Sequence, residues 1–128
     1  MSRIRAKDTK PERLVRSFLH RAGFRFRLHA SGLKGKPDIV LPKYRSVVFV
    51  NGCFWHGHAG CRRAGTPQTN RAFWQEKIGS NKQRDRRVAR ALRRDGWNVF
   101  VIWECQIGEP GRPGSRLRNL VAKLRENA

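Results

Sequence analysis

The sequence has few acidic residues: nine aspartates and glutamates accompany 29 lysines and arginines, which gives a formal net charge of +20. A chain this unbalanced repels itself and attracts polyanions, so nucleic acid is the leading partner and a membrane surface is the weaker alternative. Because acidic residues are scarce and the expected substrate is a polyanion, each carboxylate near a prospective site is a candidate functional group.

Long apolar runs and an even set of cysteines are also missing. No stretch approaches the roughly 18 apolar residues of a membrane span, and no apolar segment resembling a signal peptide follows the start of the chain. The three cysteines exclude a full disulfide framework and favour metal binding instead. These absences predict a cytoplasmic protein, and 128 residues suffice for one domain with its own core.

Local patterns predict an α/β fold, a small mixed sheet flanked by helices, in a single domain over residues 1–128. Residues 1–8 form a basic amino-terminal arm and residues 106–128 a carboxy-terminal turn and helix. Between them the sequence predicts, in chain order, a helix capped by Thr9 and ended by Gly23, strands at Phe24–His29, Pro37–Leu41 and Val47–Val50, helices at Arg71–Ile78 and Asn81–Asp95, and a buried strand at Trp97–Trp103. The carboxy-terminal region consists of a turn at Gly108–Gly114 and a helix capped by Ser115.

The stretch Asn51–Cys61 packs two cysteines, two histidines and a Phe-Trp pair into eleven residues directly after an apolar strand. Cys53 follows that strand and Cys105 follows another, so their sulfurs meet if the two strands are neighbours. With Cys61 and one histidine they would complete a Cys₃His set, which suits structural zinc. His56 and His58 compete for the fourth position, and three unligated cysteines are the alternative.

Asp38, which follows Pro37 at the head of a strand, is a candidate ligand for a hard cation such as Mg²⁺. Phosphodiester cleavage commonly uses such cations to activate water and to steady the leaving oxygen. The alternative is an ordinary turn aspartate. Glu12 already has an explanation, because it stands three residues after the capping Thr9.

Aromatic and arginine side chains suggest how the chain would meet nucleic acid. Phe54, Trp55 and Trp74 are either core residues or a wedge that unstacks bases, whereas Trp97 and Trp103 are predicted to lie in the core. The arginines of the helix predicted at Asn81–Asp95 are either a solvated face or phosphate contacts, and the near absence of acids there favours phosphate.

Several rare motifs resemble the very short patch repair (Vsr) DNA mismatch endonucleases, a family of the PD-(D/E)XK restriction-endonuclease-like superfamily. The resemblance runs from about Lys7 to Cys105. Its carriers are Asp8–Glu12 (DTKPE), Lys36–Asp38 (KPD), Gly52–His56 (GCFWH), Phe73–Asn81 (FWQEKIGSN), Arg84–Arg86 (RDR) and Trp103–Cys105 (WEC).

The resemblance implies a Mg²⁺-dependent DNA-repair endonuclease that nicks one strand beside a T:G mismatch left by deamination of 5-methylcytosine. It implies a monomer acting on mismatched double-stranded DNA, functionally linked to a cytosine-5 DNA methyltransferase and to mismatch-repair proteins. The expected location is the bacterial cytoplasm, at the nucleoid when DNA is bound.

The residue roles implied by the resemblance divide into three groups. The catalytic group is Asp38 as Mg²⁺ ligand, His56 as base or water-positioning residue, and Glu12 and Asp85 as supporting acids. The zinc ligands would be Cys53, His58, Cys61 and Cys105. The DNA contacts would be the wedge of Phe54, Trp55 and Trp74, together with Lys77, Asn81, Arg84 and Arg86.

One position departs from the pattern. The superfamily's (D/E)-x-K falls at Phe49–Asn51 and lacks both the acid and the lysine, and the family typically has a second histidine where this chain has Asn51. An asparagine cannot act as a base, so Asn51 keeps at most a hydrogen-bonding role in the catalytic group. Two alternatives stay open: a mismatch-binding or DNA-bending module that does not cut, and a restriction- or defence-type nicking nuclease without strict T:G preference.

Overall fold

A computed structural model describes residues 9–29, 32–61, 65, 69–109 and 112–126 and shows, within them, a small mixed sheet flanked by three helices. The arm predicted at residues 1–8 lies outside the described residues. The elements are α1 Lys10–Arg21, β1 Arg27–Leu28, β2 Ile39–Leu41, β3 Ser46–Asn51, α2 Arg71–Arg94, β4 Asn98–Trp103, β5 Gly108–Glu109, β6 Arg112–Pro113 and α3 Ser115–Glu126. In this part of the chain no helix has both the length and the apolar composition that crossing a bilayer requires.

The main sheet has the order β1-β2-β3-β4, and its directions decide where the functional residues meet. β1 pairs with β2 and β2 with β3 in antiparallel fashion, whereas β3 and β4 are parallel. The end of β1, the start of β2 and the ends of β3 and β4 therefore lie along one edge of the sheet. The predicted hairpin of β2 and β3 is confirmed, with a 3₁₀ turn at Pro42–Tyr44 as the connection.

Helices cover both faces of the sheet. On one face α1 and α3 pack against the sheet, with buried side chains that include Leu19, Val48 and Leu120. On the other face Val40 and Val47 pack with Leu92 of α2. Burial on both faces explains why β2 and β3 are apolar at nearly every position and do not alternate.

The first helix begins and ends as the sequence predicts. The Thr9 hydroxyl accepts a hydrogen bond from the Glu12 amide, and Pro11 lies in the first turn. At the other end the amides of Gly23 and Phe24 donate to the carbonyls of His20 and Leu19, which is the Schellman arrangement.

The strand predicted at Phe24–His29 is wrong in its extent, because only Arg27 and Leu28 form it and both are exposed. Phe24 instead turns into the core beside Tyr44, with the two ring centroids 5.3 Å apart. His29 ends the strand with a left-handed φ of 48°, which an extended ladder cannot continue.

The break predicted at Gly79 is also wrong: α2 is one helix of 24 residues. Gly79 lacks the positive φ of a glycine that ends a helix, and a Cβ placed on it would meet nothing within 4 Å. A single glycine costs a helix interior only about 1 kcal/mol. The burial of Ile78 on one side and Leu92 on the other is enough to carry the helix through.

The carboxy-terminal region differs in two details from the prediction. The segment expected to be a turn at Gly108–Gly114 contains the short antiparallel pair β5 and β6. Ser115 is the first residue of α3 and does not precede it as a cap, a shift of one position that is common at helix ends. The predicted apolar stripe of α3, which includes Leu117 and Leu124, is buried.

Continuity of α2 predicts that Gly79→Ala stabilises the protein, by about 0.5–1 kcal/mol, because alanine replaces glycine in a helix interior with open space around it. Urea denaturation measures this. Gly32→Ala is the control, since its methyl group also meets open space but lies outside regular structure. A Gly79→Ala protein less stable than the parent would mean that the helix is interrupted there.

Candidate active site and metal centre

Parallel pairing of β3 and β4 brings the cysteines together. Asn51 is the register partner of Trp103, so Cys53 and Cys105, each two residues farther on, leave the sheet at the same edge. The ligand atoms of Cys53, His58, Cys61 and Cys105 all lie within 4.8 Å of one another. The structure thus joins His58, not His56, to the three thiols.

This cluster has the composition of a metal site. Cys53 is fully buried, and that burial raises the pKa of its thiol to about 12, with the neighbouring Cys105 and Cys61 contributing. A metal would reverse this tendency, because a coordinating thiol loses its proton. Cys105 Sγ lies 3.4 Å from His58 Nδ1, so nitrogen and sulfur donors converge. Three sulfurs and one imidazole can therefore hold a metal ion here.

Trp103 belongs to this site and not to the core, which corrects the prediction made for it. Its ring stacks on His58 with 4.1 Å between centroids and 5° between planes. Trp97 is half-buried and packs at the edge of the second core cluster, where the Arg45 guanidinium lies over its ring. Trp103 is therefore positioned to hold the orientation of the imidazole of His58 in the cluster.

The loop between Asn51 and Cys61 is built from tight turns and is held against α2. The amides of His56 and His58 donate to the carbonyls of Gly52 and Cys53 at 3.2 and 3.0 Å. From α2, the side-chain amide of Asn81 donates to the Trp55 carbonyl at 2.8 Å. Asn81, predicted as a DNA contact, therefore has a hydrogen bond that fixes the loop.

His56 pairs with Asp85 of α2: its Nδ1 lies 2.6 Å from Asp85 Oδ2. An ionised carboxylate can only accept, so Nδ1 carries the hydrogen, and in the neutral ring Nε2 keeps its lone pair. This is the tautomer that a general base requires. His56 and Asp85, to which the resemblance gives separate catalytic roles, thus pair with each other although they are 29 residues apart in the sequence.

Asp38 lies at the start of β2, beside the end of β3, and its Oδ2 accepts the amide hydrogen of Val50 at 2.7 Å. Burial raises the pKa of the Asp38 carboxyl to about 7; the charge of Glu12 adds to the rise, whereas the Val50 hydrogen bond and His56 oppose it. The charged form of Asp38 is thus unfavourable beside the His56–Asp85 pair, and a bound cation would offset that cost.

Glu12 and His29 complete this second group. The Glu12 carboxylate is buried, accepts a hydrogen bond from the Thr9 hydroxyl at 3.1 Å, and lies 3.3 Å from His29 Nε2. One ligand atom from each of Glu12, His29 and Asp38 falls within a 4.8 Å cluster. His29 is the residue that sequence reasoning missed, since a position in an alternating strand gave no sign that the chain turns there.

Two clefts meet at these residues. One, of about 710 Å³, contains Asp38, His29 and Arg84; the other, of about 620 Å³, is lined by basic side chains that include Arg86 and Arg90. The two share a wall formed by Asn51, His56, Asp85, Ala89 and Val101. An anionic strand crossing from one cleft to the other would pass the His56–Asp85 pair.

The predicted wedge residues form one aromatic cluster. Phe54, Trp55 and Trp74 make edge-to-face contacts with centroids 5.1 to 5.5 Å apart, and all three are half-buried. Phe73, 59% exposed, extends the cluster outward from Trp74. In the sequence Phe73 opens the motif Phe73–Asn81 that carries the resemblance, but no role is predicted for it. Lys77 is exposed on the same helix.

A histidine–aspartate pair beside a half-buried carboxylate, at the edge of a mixed sheet and among arginines, is an arrangement that suits hydrolysis of a phosphodiester. Residues 1–63 match the family model described as "DNA mismatch endonuclease Vsr". Taken with the relatives described next, this shows that the chain belongs to the Vsr family of DNA mismatch endonucleases.

Curated relatives support the assignment over almost the whole chain. The type II nicking enzyme V.XorIIP of Xanthomonas oryzae pv. oryzae is 49% identical over 94% of this chain and 88% of that protein. The type II nicking enzyme V.NmeAIP of Neisseria meningitidis is 44% identical over 98% and 89%. The DNA mismatch endonuclease Vsr of Escherichia coli is 43% identical over 84% and 68%.

Close packing of the loop on α2 predicts that Gly57→Ala destabilises the protein more than Gly60→Ala. Both glycines have left-handed φ angles, so each substitution costs about 1–2 kcal/mol for the backbone. At Gly57 the new methyl would also approach Ile78 to 2.6 Å, adding about 1–3 kcal/mol of overpacking, whereas at Gly60 it meets nothing within 4 Å. Equal losses in urea denaturation would refute the packing described.

Proposed function

We propose that this protein is a Mg²⁺-dependent DNA endonuclease that nicks one strand next to a T:G mismatch, the product of 5-methylcytosine deamination. The observation that carries the proposal is the His56–Asp85 pair, which shares a cleft with the half-buried carboxylate of Asp38. Membership of the family supports the reaction class. The mismatch preference draws on the relative from Escherichia coli, whose name states a mismatch endonuclease.

The chain's own residues would divide the hydrolysis between them. Asp85 holds His56 so that Nε2 can take a proton from the attacking water. Asp38, with Glu12 behind it, would hold Mg²⁺, which when bound supplies charge stabilisation for the phosphate and its leaving oxygen. Asn51 is buried on the wall shared by the two clefts, where its amide can hydrogen-bond but cannot accept a proton as a base.

The basic surface and the aromatic cluster would bind and open the DNA. Arg84 lines one cleft and Arg86 the other, and both clefts contain the His56–Asp85 pair, so the two arginines would hold phosphates flanking the scissile one. Phe54, Trp55 and Trp74, with exposed Phe73 at the front, would insert at the mismatch and unstack it.

Zn²⁺ is proposed for the Cys53, His58, Cys61 and Cys105 cluster, with a structural role. Its donors are the three sulfurs and one nitrogen of a known structural zinc set. Bound there, the metal would join both ends of the loop to the strand end at Cys105. His56 and the aromatic cluster lie inside that loop, so their positions would depend on it.

A second candidate is a nicking nuclease without strict T:G preference. It is favoured by the names of the relatives from Xanthomonas and Neisseria, both of which are type II nicking enzymes. Action as a monomer in the cytoplasm, and a functional link to a cytosine-5 methyltransferase and mismatch-repair proteins, belong to the proposal in either form.

Cleavage of matched oligonucleotide duplexes tests the reaction. With Mg²⁺, a labelled T:G duplex should be nicked in one strand; His56→Ala should lose about 10²–10⁴-fold in rate, since a general base is removed. Asp38→Ala should abolish nicking, and Asp85→Asn should fall between the parent and His56→Ala. Product length on denaturing gels, from single-turnover time courses, gives the rates.

The control for these variants is His20→Ala, because His20 is exposed on α1, outside both clefts. Full activity of Asp38→Ala would contradict the mechanism, and tight binding of the T:G duplex without cleavage in any divalent metal would leave only a binding module. Equal rates on T:G, other mismatches and paired DNA would select the second candidate.

Elemental analysis tests the zinc centre. The purified protein should contain about one zinc per chain, His58→Ala should lose it, and His56→Ala should keep it, because only His58 lies with the thiols. After chelation three thiols should become titratable. Zinc retained by His58→Ala but lost from His56→Ala would reverse the assignment of the two histidines.

A further inference from the structure

His29 has an environment that neither strand packing nor the proposed chemistry of Asp38 explains. Among the described residues its buried Nε2 atom makes no hydrogen bond; it faces Glu12 Oε1 at 3.3 Å, a contact that is an ion pair only if the ring is protonated. Buried polar atoms are rarely left without a partner. A nitrogen atom in this position, next to two carboxylates, is where a ligand of a metal cation would be expected.

The backbone directs His29 to this position. The His29 amide donates to the Asp38 carbonyl at 3.2 Å, so the two residues lie side by side at the sheet edge. The backbone of His29 has a left-handed φ of 48°, which is uncommon for a residue other than glycine. This turn takes the imidazole out of the strand's alternation and brings it to Glu12 and Asp38.

We propose that His29 is a third protein ligand at the metal site of Glu12 and Asp38, so that the site presents two oxygens and one nitrogen. This rests on the proposed function, which puts the catalytic cation at Asp38. It adds a metal preference: imidazole suits first-row transition cations such as Co²⁺, whereas Mg²⁺ prefers oxygen ligands. The site should therefore favour Co²⁺ over Mg²⁺ more than an all-oxygen site would.

A different explanation of the same geometry is an ion pair between protonated His29 and Glu12, which would serve only to position the carboxylate. The two explanations differ in what happens to metal binding when the imidazole is removed. A lost nitrogen ligand weakens Co²⁺ selectively, whereas a lost positioning contact affects Co²⁺ and Mg²⁺ alike.

The experiment measures Co²⁺ and Mg²⁺ binding to zinc-loaded protein by calorimetry, with zinc content checked before and after each titration. His29→Gln puts an amide oxygen at a similar reach, and it should weaken Co²⁺ binding about tenfold or more, about 1.4 kcal/mol, while Mg²⁺ changes less than about threefold. His29→Ala removes the donor altogether and should weaken both metals, Co²⁺ more. The control is His20→Gln, which removes an exposed histidine from α1 and should change the affinity for neither metal.

Unchanged Co²⁺ affinity in both His29 variants, with thermal unfolding like that of the parent, would overturn the proposal, and so would equal losses of Co²⁺ and Mg²⁺. Asp38→Ala separates this from the proposed function: both metals should be lost, and if neither is, the cation does not sit at Asp38. If the His29 variants lose Co²⁺ affinity selectively while the parent protein nicks no DNA, His29 is upheld as a metal ligand and the proposed nuclease activity is refuted.

Discussion

The parallel pairing of β3 with β4 is the constraint on which the rest of the site depends. Because parallel strands end at the same edge, Asn51 and Trp103 lie in register, and the segments that follow them leave the sheet side by side. β2 runs the other way, so its first residues reach the same edge. One edge of a four-stranded sheet therefore receives the thiol cluster, the shared wall of the clefts, and Asp38.

Acidic and basic side chains lie close together at this edge. Across the chain basic residues outnumber acidic ones by 29 to nine, yet the buried Glu12 and the half-buried Asp38 are brought next to each other. Burial and the mutual repulsion of carboxylates both disfavour the charged forms, as the raised pKa of Asp38 shows. The arrangement costs stability unless a cation is bound, whereas the arginines of α2 favour an anion in the adjoining clefts. A bound metal ion would thus offset the carboxylates, and a bound phosphate would offset the neighbouring arginines.

Sequence patterns predicted the parts of this arrangement that depend on local chemistry. Caps and apolar runs predict α1 and the β2–β3 hairpin, and strand ends predict the approach of Cys53 to Cys105 on the condition that β3 and β4 are neighbours, which they are. They failed where tertiary packing overrides propensity: α2 continues through Gly79 because buried residues on both sides support it. His29 was missed for a related reason, since a single left-handed residue redirects a side chain without disturbing the alternating pattern.

The loop Asn51–Cys61 shows why neighbouring residues in sequence can serve separate sites. His56 and His58 are two positions apart, and the tight turns between them send one ring to Asp85 and the other to Cys105. Neither destination could be chosen from spacing alone, because both partners come from distant elements, α2 and the end of β4. Asn51, at the start of the loop, is buried between the two sites and lines both clefts. With only an amide at that position, the proposed mechanism would leave proton transfer in the cleft to His56, whose Nδ1 lies against Asp85.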